Sequence, residues 1–543
     1  MAGLAGTLLP AFGYLPALGR GGFSLEPWHR FAALPGIWTS VGRSLATGIA
    51  TTLVSLGIAV ALCAAWHGTA WFRHSQRLLA PLLSVPHAAA AFGISFLLAP
   101  SGWLMRWISP SLTGFARPPD WLTVHDPHGI SLTVGLVVKE VPFLLIMMLA
   151  AMAQSDADRS RRVALSFGYG PMTGWLKGVF PRLYPQIRLP VLAVLAYGIS
   201  VVDVAMILGP TNPHPLAVRL VRLFNDPDLS WRLPASAGAM VQGVLVGVGI
   251  VIWTGLERWV RAAGSRWVVS GRRHPEDRAL RFAAGAVWVL ATGLLIAGLA
   301  AMGLWAFADG WRFPEVWPDR LTWTTWERHA DGLRAPLVNT LSLALGATGM
   351  AMLLAVGLLE AEARSERGSW TRFGGLLYLP LIVPQVAFLF GAQILLLSAA
   401  MDGRWLAVAW MHLVFVFPYV FLTLSGAYRA WDRRFESVGM CLGASRFGVF
   451  LRVKLPMLLR ALTAAAAVGF SVSVGQYLPT LLIGGGRLPT ITTEAVALAA
   501  GGDLRVIALH ALVQMALPLM AFGLAVLIPG WQFRNRRALQ AAS

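Results

Sequence analysis

Few side chains in this chain could do chemistry, and most of those few lie in apolar runs. Lys139 and Glu140 stand side by side in GLVVKEVPFLLIMML, Asp203 lies in SVVDVAMILGP, and Gln476 lies in SVSVGQYLPTLLIGGG. An ionisable or amide group at depth in a bilayer costs several kcal/mol unless it is paired or lines water. Asp203 and Gln476 are therefore candidates for a polar path, with a helix-to-helix hydrogen bond as the plain alternative. Neighbours on a helix point about 100° apart, so Lys139 and Glu140 cannot meet face to face. Each needs a partner on another helix or in water, and a structural ion pair is favoured over contact with a solute. His87, His412 and His510 have no Cys, Asp or Glu at ligand spacing, so hydrogen-bonded helix contacts are expected and no metal site is. The loops hold no Ser/His/Asp, Cys/His or paired-carboxylate constellation, and catalysis by this chain is not expected. Cys63 and Cys441 read as free thiols.

The elements that must position these residues follow from composition. Of 543 residues, 56% are apolar and 13% are charged, with a mean hydropathy of +0.64. A soluble chain carries about 25% charged residues; the deficit implies a lipid-facing surface and an all-α polytopic membrane protein. The net charge of +19 does not point to nucleic acid, because the basic residues flank apolar segments instead of forming a compact basic domain. The first basic residue is Arg20, so a secretory signal is not expected. Runs long enough to span lie near 41–66, 78–99, 130–153, 189–209 and 234–256, then near 283–307, 336–359, 374–399, 405–428, 461–483 and 504–529. With the short apolar stretch 4–19 they make twelve, or eleven if that stretch falls short. The expected division is a first transmembrane domain over 1–258, a linker over 259–282, a second domain over 283–530, and a basic tail over 531–543.

The two halves repeat. LSVPHAAAAFG (83–93) matches LIVPQVAFLFG (381–391), and Pro142 and Pro418 hold corresponding places. Gly168 is followed thirteen residues later by Pro181, and Gly443 thirteen residues later by Pro456. Each pair lies in a basic loop that reads as helix, glycine break, then a second helix. Pro171 suits the first turn of that second helix in one loop, and Ser445 suits the cap before a helix over 446–453 in the other. Placing the loops at 67–77, 154–188, 257–282, 362–373 and 429–460 and the tail after 530 on the cytoplasmic face puts 28 of the 44 basic residues inside and 15 outside, with Lys139 inside a span, the bias that sets membrane orientation. The Trp-rich stretch 311–329 reads as a membrane-interface belt in preference to a protein contact.

The loop spacing resembles the EAA loop of binding-protein-dependent ABC importer permeases, most closely the fused thiamine and iron(III) type. Gly443, Val453, Leu455 and Pro456 fit its glycine and hydrophobic-x-Leu-Pro ending; Gly168, Phe180 and Pro181 are a looser copy. Arg162 and Ser437 stand where the family has its leading glutamate, and Glu436 comes one residue early. The resemblance implies a bacterial inner-membrane permease whose loops couple to a separate ABC ATPase homodimer on the cytoplasmic face. It further implies a periplasmic solute-binding protein on the other face and a thiamine-like or iron(III)-like solute. None of the three lysines, Lys139, Lys177 and Lys454, lies in a G-K-[ST] phosphate loop. No cofactor is therefore expected on this chain, and ATP would be hydrolysed by the partner. The rival reading is an ion-coupled secondary transporter with two six-helix halves, in which Lys139, Glu140 and Asp203 are coupling groups.

Overall fold

The computed structural model describes residues 2–274, 276–364, 377 and 379–534. They are overwhelmingly helical; among them the only sheet is a two-residue ladder, Ala308–Asp309 against Arg320–Leu321. The chain is thus an all-α polytopic protein. Among the described residues, eight helices are long and apolar enough to cross a bilayer: Ile37–Trp66, His87–Ile108, Ile130–Ala153, Leu229–Val269, Arg278–Phe307, Thr324–Arg364, Trp405–Arg429 and Leu504–Gln532. A ninth is counted if Arg446–Met457 and Leu459–Val474, bent by 73°, make one span.

Among the described residues the long apolar helices are thus fewer than the twelve expected spans, for local reasons. The N-terminal helix Ala2–Ala11 has 10 residues, about 15 Å against a hydrocarbon core of about 30 Å. The run at 189–209 is divided between Phe180–Ser200 and Asp203–Leu208. The run at 374–399 supplies the apolar helix Gln385–Ser398, only 14 residues long; its residues 374–376 and 378 lie outside the described residues. Most of the loop 362–373 and tail residues 535–543 also lie outside them.

The chain divides into two compact units. The first comprises Met1–Arg328, Ile382–Leu395 and Val496–Ala511. Its helices approach through small residues: a Cβ on Gly93 would come within 2.9 Å of the Gly298 backbone, and one on Gly48 within 2.8 Å of the Ile199 amide nitrogen. Such contacts replace the hydrophobic drive that is lost between helices in lipid. On the Arg232–Val269 helix, Val244, Val248 and Val251 form an exposed apolar stripe at helical spacing, the kind of face that suits a bilayer. That helix has 38 residues, far more than a span needs, and its excess runs into the expected linker. The second unit comprises His329–Leu381, Leu396–Ala495 and Leu512–Ser543. It packs Ala351, Ala355 and Leu359 against Val416, Val420 and Leu424, with Ala465 beside them.

Helix starts show how sequence fixes these elements. Asp126 accepts bonds from the amides of Ile130 and Ser131, both at 2.8 Å, and from the Ser131 hydroxyl at 2.7 Å. It thereby caps Ile130–Ala153. Burial alone would raise the Asp126 pKa, but these bonds outweigh it and hold the carboxyl below its ordinary range. Pro142 and Pro418 sit inside Ile130–Ala153 and Trp405–Arg429 respectively.

Candidate functional site

The two repeated loops are built alike. In the first, helix Ala157–Ser166 ends at Gly168, which has φ +78°, and Pro171–Gly178 follows with its proline in the first turn. In the second, Arg434–Cys441 ends at Gly443, φ +86°. The Gly168 amide donates to Leu165 O at 3.0 Å and the Tyr169 amide to Ala164 O at 3.2 Å; Gly443 donates to Met440 O at 3.0 Å and Ala444 to Gly439 O at 3.1 Å. These are the two bonds of a Schellman cap, which needs a left-handed residue and so favours glycine. Ser445 Oγ accepts from the Gly448 amide at 3.1 Å, but the α-helix it starts covers only Arg446–Val449 and gives way to a π-turn over Phe450–Lys454. Pro456 has no N–H to offer the Arg452 carbonyl, so the regular ladder over the expected 446–453 fails there. Val453 lies in that turn and Leu455 and Pro456 in the next. Phe180 and Pro181 begin the long helix Phe180–Ser200, with the Phe180 ring 6.1 Å from that of Trp175.

What differs is how each loop is held. The first is strapped by the segment that joins the halves. Gly170 N donates to Arg273 O at 3.1 Å, Lys177 Nζ to Arg272 O at 3.0 Å, and the Met172 amide to Asp277 Oδ2 at 2.7 Å. The Lys177 ammonium also lies 4.7 Å from the Trp267 ring centroid. Asp277 immediately precedes Arg278–Phe307 but makes no side-chain cap to that helix; it caps Pro171–Gly178 instead. The second loop is held by an ion pair. Lys454 Nζ reaches Glu360 Oε2 at 2.7 Å, with side chains 7% and 18% exposed. Tyr428 donates to the same oxygen at 2.5 Å, and Arg364 Nε binds Oε1 at 2.9 Å. A buried pair is tolerable only when further bonds satisfy it, and these do. Above that anchor Phe435, Val438, Met440, Leu442, Phe447 and Leu451 are exposed, whereas in the first loop Val163 and Phe167 are exposed and Trp175 is fully buried.

The polar residues at depth gather at helix breaks. The first break, at Val85–Pro86, separates Leu79–Ser84 from His87–Leu98. Pro86 cannot donate to Leu82 O; Lys139 Nζ does, at 2.9 Å, and also reaches Leu83 O at 2.8 Å. Glu140 Oε1 lies 3.2 Å from Nε2 of His87, the first residue of the next half-helix. Neighbouring opposite charges thus serve the two sides of the break: the cation meets the carbonyls that end one helix, and the carboxylate meets the ring of the residue that begins the next. His87 also stacks near Tyr197, ring centroids 4.9 Å apart, and interacts electrostatically with Asp203.

The second break, at Val201–Val202, places Asp203 first in Asp203–Leu208. It leaves Ile199 O without its helical donor, and Gln242 Nε2 supplies one at 3.1 Å. The third break, in the second unit, contains Gly475, Gln476 and Tyr477. There Val474 O accepts from Thr492 Oγ1 at 2.5 Å, and Thr492 Oγ1 accepts from Gln514 Nε2 at 2.8 Å. His412 spans this break, bonded to Ser473 at 2.7 Å and Thr480 at 2.8 Å. Asp203 and Gln476 therefore both lie at a helix break of their own unit, Asp203 as the first residue after it and Gln476 within it. His510 Nδ1 lies 2.8 Å from Val506 O, and among the described residues no group of three His, Cys, Asp or Glu side chains could hold a metal ion.

Sequence reasoning missed Gln242, Gln514, Glu360 and Asp277. The two glutamines, both 0% exposed, carried the same signal as Gln476, an amide in an apolar run. Asp277 carried none, because its partner lies 105 residues away.

No family model matches the chain. It is 33% identical to the inner membrane ABC transporter permease protein YnjC of Escherichia coli (strain K12) over 524 residues, 95% of this chain and 93% of that protein. It is 23% identical over 467 residues to the probable ABC transporter permease protein y4fN of Sinorhizobium fredii, covering 81% and 78% of the two chains. A 167-residue stretch, 28% of this chain, is 29% identical to the molybdenum transport system permease protein ModB of Mycobacterium tuberculosis and covers 62% of it.

Proposed function

The chain belongs to the ABC transporter permease family, and from that premise we propose that its two repeated loops are where a separate ATPase drives it. The permease moves a small solute through a path across the inner membrane and leaves nucleotide hydrolysis to a homodimeric partner. The loops around Gly168–Pro181 and Gly443–Pro456 face the cytoplasm with the C-terminus, and a solute-binding protein docks on the opposite face. The observation that carries this reading is the duplicated cap at Gly168 and Gly443, beside the exposed apolar face of the second loop. Two loops of one geometry suit two copies of one partner. The bare second loop is assigned the larger contact area, since exposed apolar clusters mark interaction surfaces.

The path runs past Asp203 and Gln476, because discontinuous helices at membrane depth are tolerated where they line a cavity or are buried in protein. Lys139 and Glu140 hold the first break in shape and do not touch solute. Two six-helix domains, 1–258 and 283–530, joined by 259–282, alternate access between the faces.

The test is deletion of residues 443–456 or Gly443→Pro in the full chain, reconstituted with its ATPase and binding protein. Both variants should insert normally, lose most ATPase on co-purification, and abolish ATP-dependent uptake. Normal uptake by either would sink the docking model. Uptake that persists without ATP and follows a proton or sodium gradient would instead support the ion-coupled reading.

A further inference from the structure

A cavity of about 250 Å³ opens between the start of Phe180–Ser200 and the far end of Arg232–Val269. Its wall includes Tyr184, Arg188, Thr254, Glu257, Arg258 and Arg261. The one acid there is already engaged: Glu257 accepts from Tyr184 Oη at 2.6 Å and from Arg188 Nε at 2.9 Å. Trp253 Nε1 donates to the same Tyr184 oxygen at 2.9 Å, and Arg188 Nη2 reaches Thr254 Oγ1 at 3.4 Å. This network fixes the Arg188 guanidinium on the wall and neutralises one of the three arginines. Among the described residues Arg258 and Arg261, both exposed, form no ion pair. The cavity therefore keeps an excess of two positive charges with no protein anion to meet them.

Its depth along the helix says what does. The apolar part of Arg232–Val269 ends near Trp253, and the cavity residues occupy the next two turns. Trp259 stands beside them, 68% exposed, the residue type that concentrates at the headgroup level. Below lies the exposed valine stripe that faces acyl chains. A guanidinium pair at that level meets phosphodiesters, and its fork geometry matches two phosphate oxygens.

We infer that this cavity is a binding site for the phosphate headgroup of an anionic phospholipid, with Arg258 and Arg261 as its ligands and Arg188, set by Glu257, as its floor. The site is independent of the loop reading, although its helix begins at Phe180 immediately after the first loop.

Native mass spectrometry of the full detergent-purified chain tests it, with phosphatidylglycerol, phosphatidylcholine and inorganic phosphate as probes. Phosphatidylglycerol should be retained at lower concentration than phosphatidylcholine. The double variant Arg258→Gln, Arg261→Gln should weaken phosphatidylglycerol roughly thirtyfold, the worth of two arginines at an anionic surface, and leave phosphatidylcholine unchanged. Both side chains are exposed and unpaired, so the variant keeps its fold, which thermal unfolding verifies. Equal retention of the two lipids by the wild type, or undiminished phosphatidylglycerol binding by the variant, would overturn the site. Displacement of phosphatidylglycerol by inorganic phosphate would reassign it to a free anion and overturn the lipid.

Discussion

At Gln242 and Gln514 a single side-chain amide stands between a broken helix and an unpaired carbonyl. The two are not equivalent. Gln242 reaches Ile199 O directly, whereas Gln514 acts through Thr492, whose hydroxyl makes the bond to Val474 O. Gln242→Leu should therefore leave a buried carbonyl unsatisfied, costing about 1–3 kcal/mol. Gln514→Leu should cost less, because Thr492 still serves its carbonyl. Thermal unfolding of the purified chain checks the order; equal losses, or a larger one for Gln514, would refute the relay. Lys139 plays the same part at the first break, with a charge instead of an amide. Three breaks are thus closed by donors borrowed from neighbouring segments, as a medium without water demands.

At the scale of elements, the strap on the first loop is open to a direct test. Asp277→Ala removes an acceptor from the Met172 amide, and a cap is worth about 1 kcal/mol, so hydrogen exchange over 171–178 should quicken roughly fivefold. Asp277→Asn keeps an acceptor oxygen and should exchange close to the wild type; unchanged exchange in the alanine variant would show that the strap does not hold the helix. Elements were legible in sequence where one residue type forces a conformation locally. Gly168 and Gly443 mark left-handed caps, Pro171 a first turn, and Ser445 an N-cap, each resolved within a few neighbours. The breaks at Val201–Val202 and around Gln476 were not legible. Hydropathy registers how apolar a run is and not whether its hydrogen bonds are continuous, so a broken helix of valines reads as a whole one. The same blindness explains why apolar runs in the sequence outnumber the long apolar helices among the described residues. Partners such as Glu360 for Lys454, 94 residues apart, come together only through tertiary packing.

For the molecule as a whole, the distribution of basic residues sets a prediction about orientation. Green fluorescent protein fused after Ser543 should fluoresce, and alkaline phosphatase fused there should be inactive; the reverse pattern would turn both loops outward and remove them from any cytoplasmic ATPase. The same arginine-rich composition has a practical consequence. Lysine accounts for only three of the 44 basic residues, and two of the three, Lys139 and Lys454, are buried at 3% and 5% exposure. Lys177, half-buried on the first loop against the joining segment, is the remaining side-chain amine. Among the side-chain amines, an amine-reactive dye should mark the folded chain at that residue almost alone, faster in Asp277→Ala than in the wild type. The protein thus carries one addressable lysine, already placed where the first loop meets the joining segment.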